Sequence, residues 1–541
     1  MTPNDPGAAP TPQDEGGQSV RLDQVSFRYS TGATHLAAWA TPRPEAGTGA
    51  GKAGTADGSS PVDGPTGHPH TAGEPGVSDI DLVLAPGTLT LLCGPSGGGK
   101  TTLLRLLNGL APHFHRGDLH GSVHVAAQDM TAGGLAAAAR VSTTVFQNPR
   151  TQFFTTHVHD ELCFRGENLG EEPRGLLAKV ADAASQMGVS DLLERPLADL
   201  SGGELQKVAC AQALVAGTPV VLLDEPTSNL SPAALSHVSA AICRLKHQGA
   251  TIVVAEHRLH FLRGLADRVL RVAGGRITHE WTGEAFFAMG RADRRALGLR
   301  SLSDPLAPAL AVPRQGDARP RCGDLVVEGL RHGHPGRPVL DIDHLRLPAG
   351  AVTALVGVNG AGKSTLARVL TGLAEARRGK VSIDGRRLRA RARRARSALV
   401  MQDVNRQLFA DSVRAEVALG AADDVDVDLL LRDLDLAEVA HRHPQALSGG
   451  QKQRLCVASA LARRAHIHVW DEPTSGVDAA HLAAVADRLR RLAARGAVVL
   501  VITHDPELVR RCADGIVHLR RLQDHEAGGP QACWVDMMPF V

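Results

Sequence analysis

Five short motifs occur twice, in the same order, along 541 residues, and this repeat limits the possible folds more than any other feature. Gly94-Pro95-Ser96-Gly97-Gly98-Gly99-Lys100-Thr101 and Gly357-Val358-Asn359-Gly360-Ala361-Gly362-Lys363-Ser364 both fit GxxxxGK[ST]. Gly94 pairs with Gly357 at an offset of 263, and Gln147 with Gln402 at 255. Ser201 with Ser448, Asp224 with Asp471 and His257 with His504 all share an offset of 247. Conserved order and near-constant spacing imply one folding unit duplicated in tandem.

The chain is too long for a single core, so its length implies two to four domains, and the repeat makes two of them copies of one unit. The low-complexity stretches mark where they part. Residues 1–19 read as a disordered tail, residues 41–76 as a flexible insertion rich in Gly, Pro, Thr and Ala, and residues 304–321 as a linker. This leaves domains at 20–303 and 322–525 and a C-terminal tail at 526–541. Within each, apolar strands alternate with helical stretches. "TLTLLCG" and "AVTALVG" run into the glycine loops, and "VVLLDEP" and "IHVWDEP" end in carboxylates. The pattern predicts an α/β fold in each half, with a site at the carboxyl ends of the strands.

Composition excludes several functions. With 59 basic against 57 acidic side chains, the net charge of +2 gives no global attraction to nucleic acid or anionic lipid. The eight cysteines form no CxxC pair, which argues against a zinc site or a disulfide framework. The N-terminus lacks the basic start and apolar core of a secretion signal. No apolar run approaches the roughly 20 residues of a membrane helix, so work at a membrane requires another chain to span it.

The motifs carry phosphate chemistry. Glycines let successive backbone N–H groups wrap phosphates, while Lys100 and Lys363 suit β/γ-phosphate charge. The hydroxyls of Thr101 and Ser364 are suited to Mg²⁺, with Thr102 and Thr365 following them on each loop. Asp224-Glu225 and Asp471-Glu472 each close an apolar strand. The aspartate suits Mg²⁺ and the glutamate an attacking water. "LSGG" recurs at Ser201-Gly202-Gly203-Glu204 and Ser448-Gly449-Gly450-Gln451, a small-residue helix start able to hold an anion.

The sequence of phosphate loop, Gln147, LSGG, DEP and His257, then the same again to His504, resembles the ATP-binding cassette family twice over. The resemblance covers nearly all of the chain outside the tail, insertion and linker. It implies an α/β fold of two tandem P-loop NTPase domains, each a mixed sheet core plus a helical signature subdomain, working as a head-to-tail pair with two ATPs sandwiched between the halves. Ser448, Gly449 and Gly450 would complete the site on Lys100, and Ser201, Gly202 and Gly203 the site on Lys363. Gln147 and Gln402 match the glutamine that senses Mg²⁺ and touches the membrane partner. His257 and His504 match the switch histidine at the γ-phosphate, and Tyr29 matches the aromatic that stacks on adenine. Three departures bear on the symmetry of the two sites: His334 stands where the second half should offer that aromatic, Ser231 replaces the aspartate found as Asp478, and His466 and His468 put polar groups on a usually apolar strand. Neither half lacks its lysine, glutamate or histidine, so both sites are expected to work.

"VFQNPRTQFF" and "VMQDVNRQLF" resemble the ATPases of energy-coupling factor importers, which take up vitamins, vitamin precursors such as thiamine or its hydroxymethylpyrimidine unit, or cobalt and nickel. The resemblance implies a polytopic membrane coupling subunit and a small substrate-binding membrane protein as partners, at the cytoplasmic face of the membrane. Phe153, Phe154, Leu408 and Phe409 would line the grooves for coupling helices, with one or two of them expected to be ordinary core residues instead. The arginine run Arg386–Arg396 reads as a solvated face rather than a nucleic-acid site. Rival readings are a twin-cassette translation factor acting on ribosomes, a DNA-repair or chromosome ATPase, and the fused ATPase of a sugar or peptide importer. The short Pro- and Ala-rich linker weighs against the first. The absence of zinc modules or coiled coils weighs against the second, and two intact LSGG motifs against a sugar-type pair, with an exporter a more distant option.

Overall fold

The computed structural model describes residues 20–30, 75–227, 230, 232–302, 322–334, 337–447 and 449–520. The expectations for residues 1–19, 304–321 and 526–541, most of the 41–76 insertion, Ser231 and Ser448 lie outside the described residues. Pro75 and Gly76, assigned to the insertion from their composition, instead open the strand Pro75–Leu84. This strand pairs antiparallel with Val20–Tyr29. A Cβ on Gly76 would lie 2.9 Å from the Phe27 carbonyl oxygen, so this glycine reflects a close approach of backbones rather than a loose loop.

Each half is built from two sheets. In the first, Pro75–Leu84, Val20–Tyr29, Gly117–Val125 and Gln128–Asp129 form an antiparallel sheet in that order. The second sheet runs Ser142–Val145, Val220–Asp224, Thr251–Ala255, Leu89–Cys93, Arg268–Ala273 and Arg276–Thr282, parallel except at its last strand. The second half repeats the plan. Arg337–Leu347, Leu325–His334, Arg378–Ile383 and Arg386–Arg387 form the antiparallel sheet. Ser397–Val400, Ile467–Asp471, Val498–Ile502, Ala351–Val356 and Gly515–His518 form the parallel one.

The continuous apolar runs follow from burial of both faces of the parallel sheets. Alternate residues of a strand point to opposite sides. Leu91, Leu223 and Val254 enter one core, beneath the helix Gly202–Ala216. Leu92, Leu222 and Val253 enter the other, against Leu103, Leu104 and Leu107 of the helix Lys100–Leu107 and the antiparallel sheet. The second half divides in the same way, with Val499 and Val501 on one side and Val498 and Leu500 on the other.

Strand order then arranges the chemistry. The strands ending at Gln147, at Asp224-Glu225, at His257 and at the Gly94 loop lie side by side, so their carboxyl ends form one row. The second half lines up Gln402, Asp471-Glu472, His504 and Gly357 by the same order.

Candidate functional site

In the first half the phosphate loop is fixed by its glycines. A Cβ on Gly94, at φ 132°, would sit 2.1 Å from the Val272 carbonyl oxygen, so only glycine fits. Lys100 is buried and donates from Nζ to the Gly94 and Pro95 carbonyls at 3.0 and 2.8 Å. Burial pulls its pKa down, against the attraction of Glu225 and Asp224. Thr101 Oγ1 donates to Asp224 Oδ1 at 3.2 Å. Burial pushes Asp224 up to about 6 although that hydrogen bond opposes it. Glu225 takes a left-handed backbone, φ 47°, held by its amide on the Ala255 carbonyl at 2.8 Å. Burial, then Glu256 and Asp224, raise its pKa well above the ordinary value. Gln147 Nε2 donates to Glu225 Oε2 at 2.7 Å, and His257 Nε2 lies 3.5 Å from Oε1. Burial and Lys100 hold His257 well below its usual pKa, so the ring is neutral.

The second half repeats this geometry. Lys363 Nζ donates to the carbonyls of Gly357 and Val358 at 2.7 and 3.1 Å. Ser364 Oγ donates to Asp471 Oδ2 at 2.7 Å. Glu472 has φ 50° and its amide bonds the Ile502 carbonyl at 2.9 Å. Burial pushes Glu472 up to about 7, offset in part by Arg258 of the first half. His504 Nε2 lies 3.1 Å from both Lys363 Nζ and Asn359 Oδ1. Burial, with Lys363 and Arg258, drives His504 down to about 3.

The two sites have the same chemical capacity. Each offers a basic carboxylate on a strained backbone, a neutral imidazole, a lysine and a ring of loop amides. The hydroxyl–carboxylate pairs Thr101–Asp224 and Ser364–Asp471 supply the hard oxygen donors that Mg²⁺ prefers. The raised pKa values of Asp224 and Asp471 mark buried negative charge that a divalent cation would neutralise. The residues present therefore fit Mg²⁺ together with a phosphate chain.

Tyr29 ends its strand beside the first loop. Its hydroxyl bonds Thr102 Oγ1 and accepts from Arg105 Nη1, both at 3.0 Å, and Phe27 packs edge-on at 4.9 Å. His334 ends the matching strand of the second half, where its backbone pairs with Arg337.

Ser201 caps the helix Gly202–Ala216 in a capping box with Glu204, and Ser201 Oγ donates to Glu204 Oε2 at 2.7 Å. Gly203 is buried, whereas Ser201, Gly449 and Gly450 are exposed. Gln451 lies one residue further along the helix Gly449–Ala462.

The halves meet at the first site. The Ser96 amide donates to Asp478 Oδ2 at 2.8 Å. Burial works against the charge of Asp478, but hydrogen bonds from His481 and the Ser96 amide hold its pKa well below the ordinary carboxylate value. A Cβ on Gly476 would lie 2.3 Å from Glu225 Oε2 and 2.7 Å from Gln147 Nε2. Gly476, at φ 66°, thus brings the second half's backbone against the first half's carboxylate, and a side chain there would displace Glu225 and Gln147.

Two further pairs were given no role from the sequence, although Gln152 and Gln407 lie within the quoted strings VFQNPRTQFF and VMQDVNRQLF. Buried Glu161 accepts from the amides of Phe154 and Thr155 at 2.9 and 2.8 Å, and buried Glu416 accepts from Phe409 and Ala410, both at 2.8 Å. Gln152 Oε1 accepts from the Phe146 amide at 3.0 Å and Gln407 Oε1 from Met401 at 2.7 Å. These residues brace the loops that follow Gln147 and Gln402. Each pair keeps the 255-residue offset of Gln147 and Gln402, the signal by which they could have been found. The braced loops present Phe154 and Phe409 to solvent, 77% and 79% exposed. Phe153 and Leu408, placed with them in the candidate groove, instead pack into the core.

The profile of the family described as ABC transporter matches residues 77–228 and 340–475. An ABC transporter ATP-binding protein of Treponema denticola is 39% identical over 452 residues, spanning 82% of this chain and 92% of the relative. One of Streptomyces coelicolor is 35% identical, spanning 83% and 90%. Among solved structures, the RNase-L Inhibitor superposes with a TM-score of 0.54 at 20% identity, covering 84% and 86% of the two chains. Ribosome-bound archaeal Pelota and ABCE1 gives 0.58 at 23% identity over 81% and 74%. At these identities the structural likenesses speak for the tandem fold alone.

Proposed function

The chain belongs to the ABC transporter family as an ATPase with two cassettes in tandem, and from that premise we propose that it is the energy-coupling subunit of an importer of the energy-coupling factor type. The loop amides with Lys100 and Lys363 hold the β- and γ-phosphates of ATP. Thr101 with Asp224 and Ser364 with Asp471 hold Mg²⁺, and Gln147 and Gln402 approach the same ion. Mg²⁺ supplies charge neutralisation across the phosphates when bound. Glu225 and Glu472 orient and polarise the attacking water, a task that raised carboxylate basicity favours. His257 and His504, kept neutral by burial, act on the γ-phosphate as hydrogen-bonding groups rather than as cations. Tyr29 stacks on adenine in the first site.

Each site is completed by the other half. Ser448, Gly449, Gly450 and Gln451 close over the ATP on Lys100, and Ser201, Gly202, Gly203 and Glu204 over the ATP on Lys363. The positive end of each helix binds the γ-phosphate only while it is attached, so ATP closes the halves and hydrolysis releases them. This motion drives a separate membrane subunit.

The observation that carries the transporter reading is the matched pair Phe154 and Phe409. Each is a large apolar ring held out to solvent, seven residues past its loop glutamine, on a segment pinned by a buried glutamate. Phe154 stacks on Phe164 at 5.3 Å yet leaves most of its ring in solvent, and a matched pair of such rings on pinned segments suits a docking surface. The curated relatives are named as transporter ATP-binding proteins. No helix among the described residues is long and apolar enough to cross a membrane, and in this reading a separate chain spans it. The protein would then work at the cytoplasmic face of the membrane, beside a polytopic coupling subunit and a small capture protein for a vitamin, a vitamin precursor or a cobalt or nickel ion. Isolation from native membranes in mild detergent tests this. A co-purifying polytopic subunit and small membrane protein support it, and ribosomal subunits without membrane protein contradict it.

A further inference from the structure

We propose that Arg300, in the first half, is a positioning residue for the catalytic loops of the second half. It follows the short helix Arg291–Ala296. Leu299 anchors this segment in the first half's core, and the Leu297 carbonyl accepts from Arg271 Nε at 3.1 Å. Arg300 then leaves its own half. Its side chain is 5% exposed, and its Nη2 donates to the Asp505 carboxylate. Its Nε and the Ser301 amide reach Glu507 Oε2 at 3.4 and 3.3 Å.

Asp505 is fully buried and joins both loops of the second site. It directly follows His504, and it accepts from Thr474 Oγ1 at 3.0 Å, two residues past Glu472. It also caps the helix Pro506–Cys512. A single carboxylate therefore ties the switch-histidine loop to the glutamate loop, and its charge is matched by an arginine from the other half.

The first half makes the corresponding link without help. Thr227, the counterpart of Thr474 at the 247-residue offset, donates to Glu256 at 2.8 Å, and Glu256 belongs to the same half. The position matching Asp505 is Arg258. The duplication has thus diverged: one site closes its loop–loop link internally, and the other depends on a charge from across the interface. Removing Arg300 would take from buried Asp505 its direct ion-pair partner, leaving the more distant attraction of Arg258, which loosens both loops it holds. Movement between the halves is transmitted to His504 and Glu472 by the same route.

The inference rests on reading Glu472 and His504 as working members of the second site. In full-length protein, Arg300→Ala is expected to lower kcat for ATP about tenfold with KM within about twofold, because positioning is lost and not binding. Arg300→Lys should recover part of kcat, since it keeps the charge without the two-pronged geometry. Amide hydrogen exchange in the same variant should rise over residues 472–476 and 503–509 and stay unchanged over 225–229 and 256–262. Equal exchange in both halves, no change, or a KM effect with kcat intact would overturn the proposal. If Arg300→Ala does not fold, Glu507→Gln removes only the half-exposed arm and should give the same asymmetry at smaller size. If the wild-type chain hydrolyses no ATP, the reading of the sites fails, while the exchange comparison still decides whether Arg300 positions these loops.

Discussion

Asp478 accepts the Ser96 amide at 2.8 Å, so a carboxylate of the second half holds the phosphate loop of the first. The bond is charge-assisted, and the depressed pKa of Asp478 keeps it ionised. Its counterpart in the first half is Ser231, which is neutral. Asp478→Ala is therefore expected to slow ATP turnover by about tenfold, the loss of a charged hydrogen bond of about 1.5 kcal/mol. Ser231→Ala should change it less than about twofold. Steady-state ATPase assays on the two variants compare them directly, and equal effects would remove this source of asymmetry.

Tyr29 separates ring from hydroxyl. Its hydroxyl is engaged by Thr102 and Arg105, whereas stacking on a base needs only the ring. Loss of a stacking partner costs about 1–3 kcal/mol. Tyr29→Ala should weaken ATP binding at the first site about tenfold or more, and Tyr29→Phe should leave it within about threefold. Calorimetric titration with an ATP analogue reads both. A larger effect from Tyr29→Phe would reassign the residue to bracing the helix Lys100–Leu107.

His468 gives the second half a defined acid weakness. It is fully buried on the strand Ile467–Asp471, and neither ring nitrogen finds a hydrogen-bond partner of ordinary geometry among the described residues. Burial, against a weak pull from the Ala465 backbone, drives its pKa from 6.5 down to about 4. The unfolded chain thus binds a proton that the folded chain refuses between these values. Stability is full above about pH 6.5 and falls as pH drops towards 4, by at most about 3 kcal/mol. Thermal unfolding followed from pH 7 to pH 5 should show this loss, and His468→Leu should reduce it. An unchanged pH slope in the variant would assign the acid weakness elsewhere.

Phe154 and Phe409 should matter for assembly and not for chemistry. Each lies outside the row of catalytic side chains. Phe154→Asp or Phe409→Asp is expected to weaken capture of the membrane subunit about thirtyfold, as loss of an interface hot spot does. ATPase activity of the detergent-free chain should stay within about twofold. Retained co-purification in the double variant would remove the carrying observation for the transporter reading.

Most of the site was legible because phosphate chemistry demands particular residues at fixed spacing. Lys100, Asp224-Glu225 and His257 could be read from local strings, and the second set confirmed their order. Phe154 was told from Phe153 only by structure, since the fold of one loop decides which ring turns inward. Glu161 and Glu416 were missed because a lone buried glutamate has no local signature, only a shared offset. Arg300 was beyond reach: its partners lie 205 and 207 residues away in another cassette, and nothing near it in sequence announces them. The boundary at Pro75 failed for a simpler reason, because a glycine needed for close backbone packing looks like a loop glycine.

The central claim is that each ATP is shared between the halves, and the starts of the helices Gly202–Ala216 and Gly449–Ala462 report on it most directly. A ligand seated on either helix start would shield the amides of its first turn from solvent. Hydrogen exchange should be measured in the Glu225→Gln, Glu472→Gln chain, where hydrolysis is blocked, with and without Mg²⁺-ATP. The account predicts strong slowing over residues 201–205 and 448–452 with ATP, and none with ADP. Slowing confined to the phosphate loops, with both helix starts unchanged at saturating ATP, would contradict it.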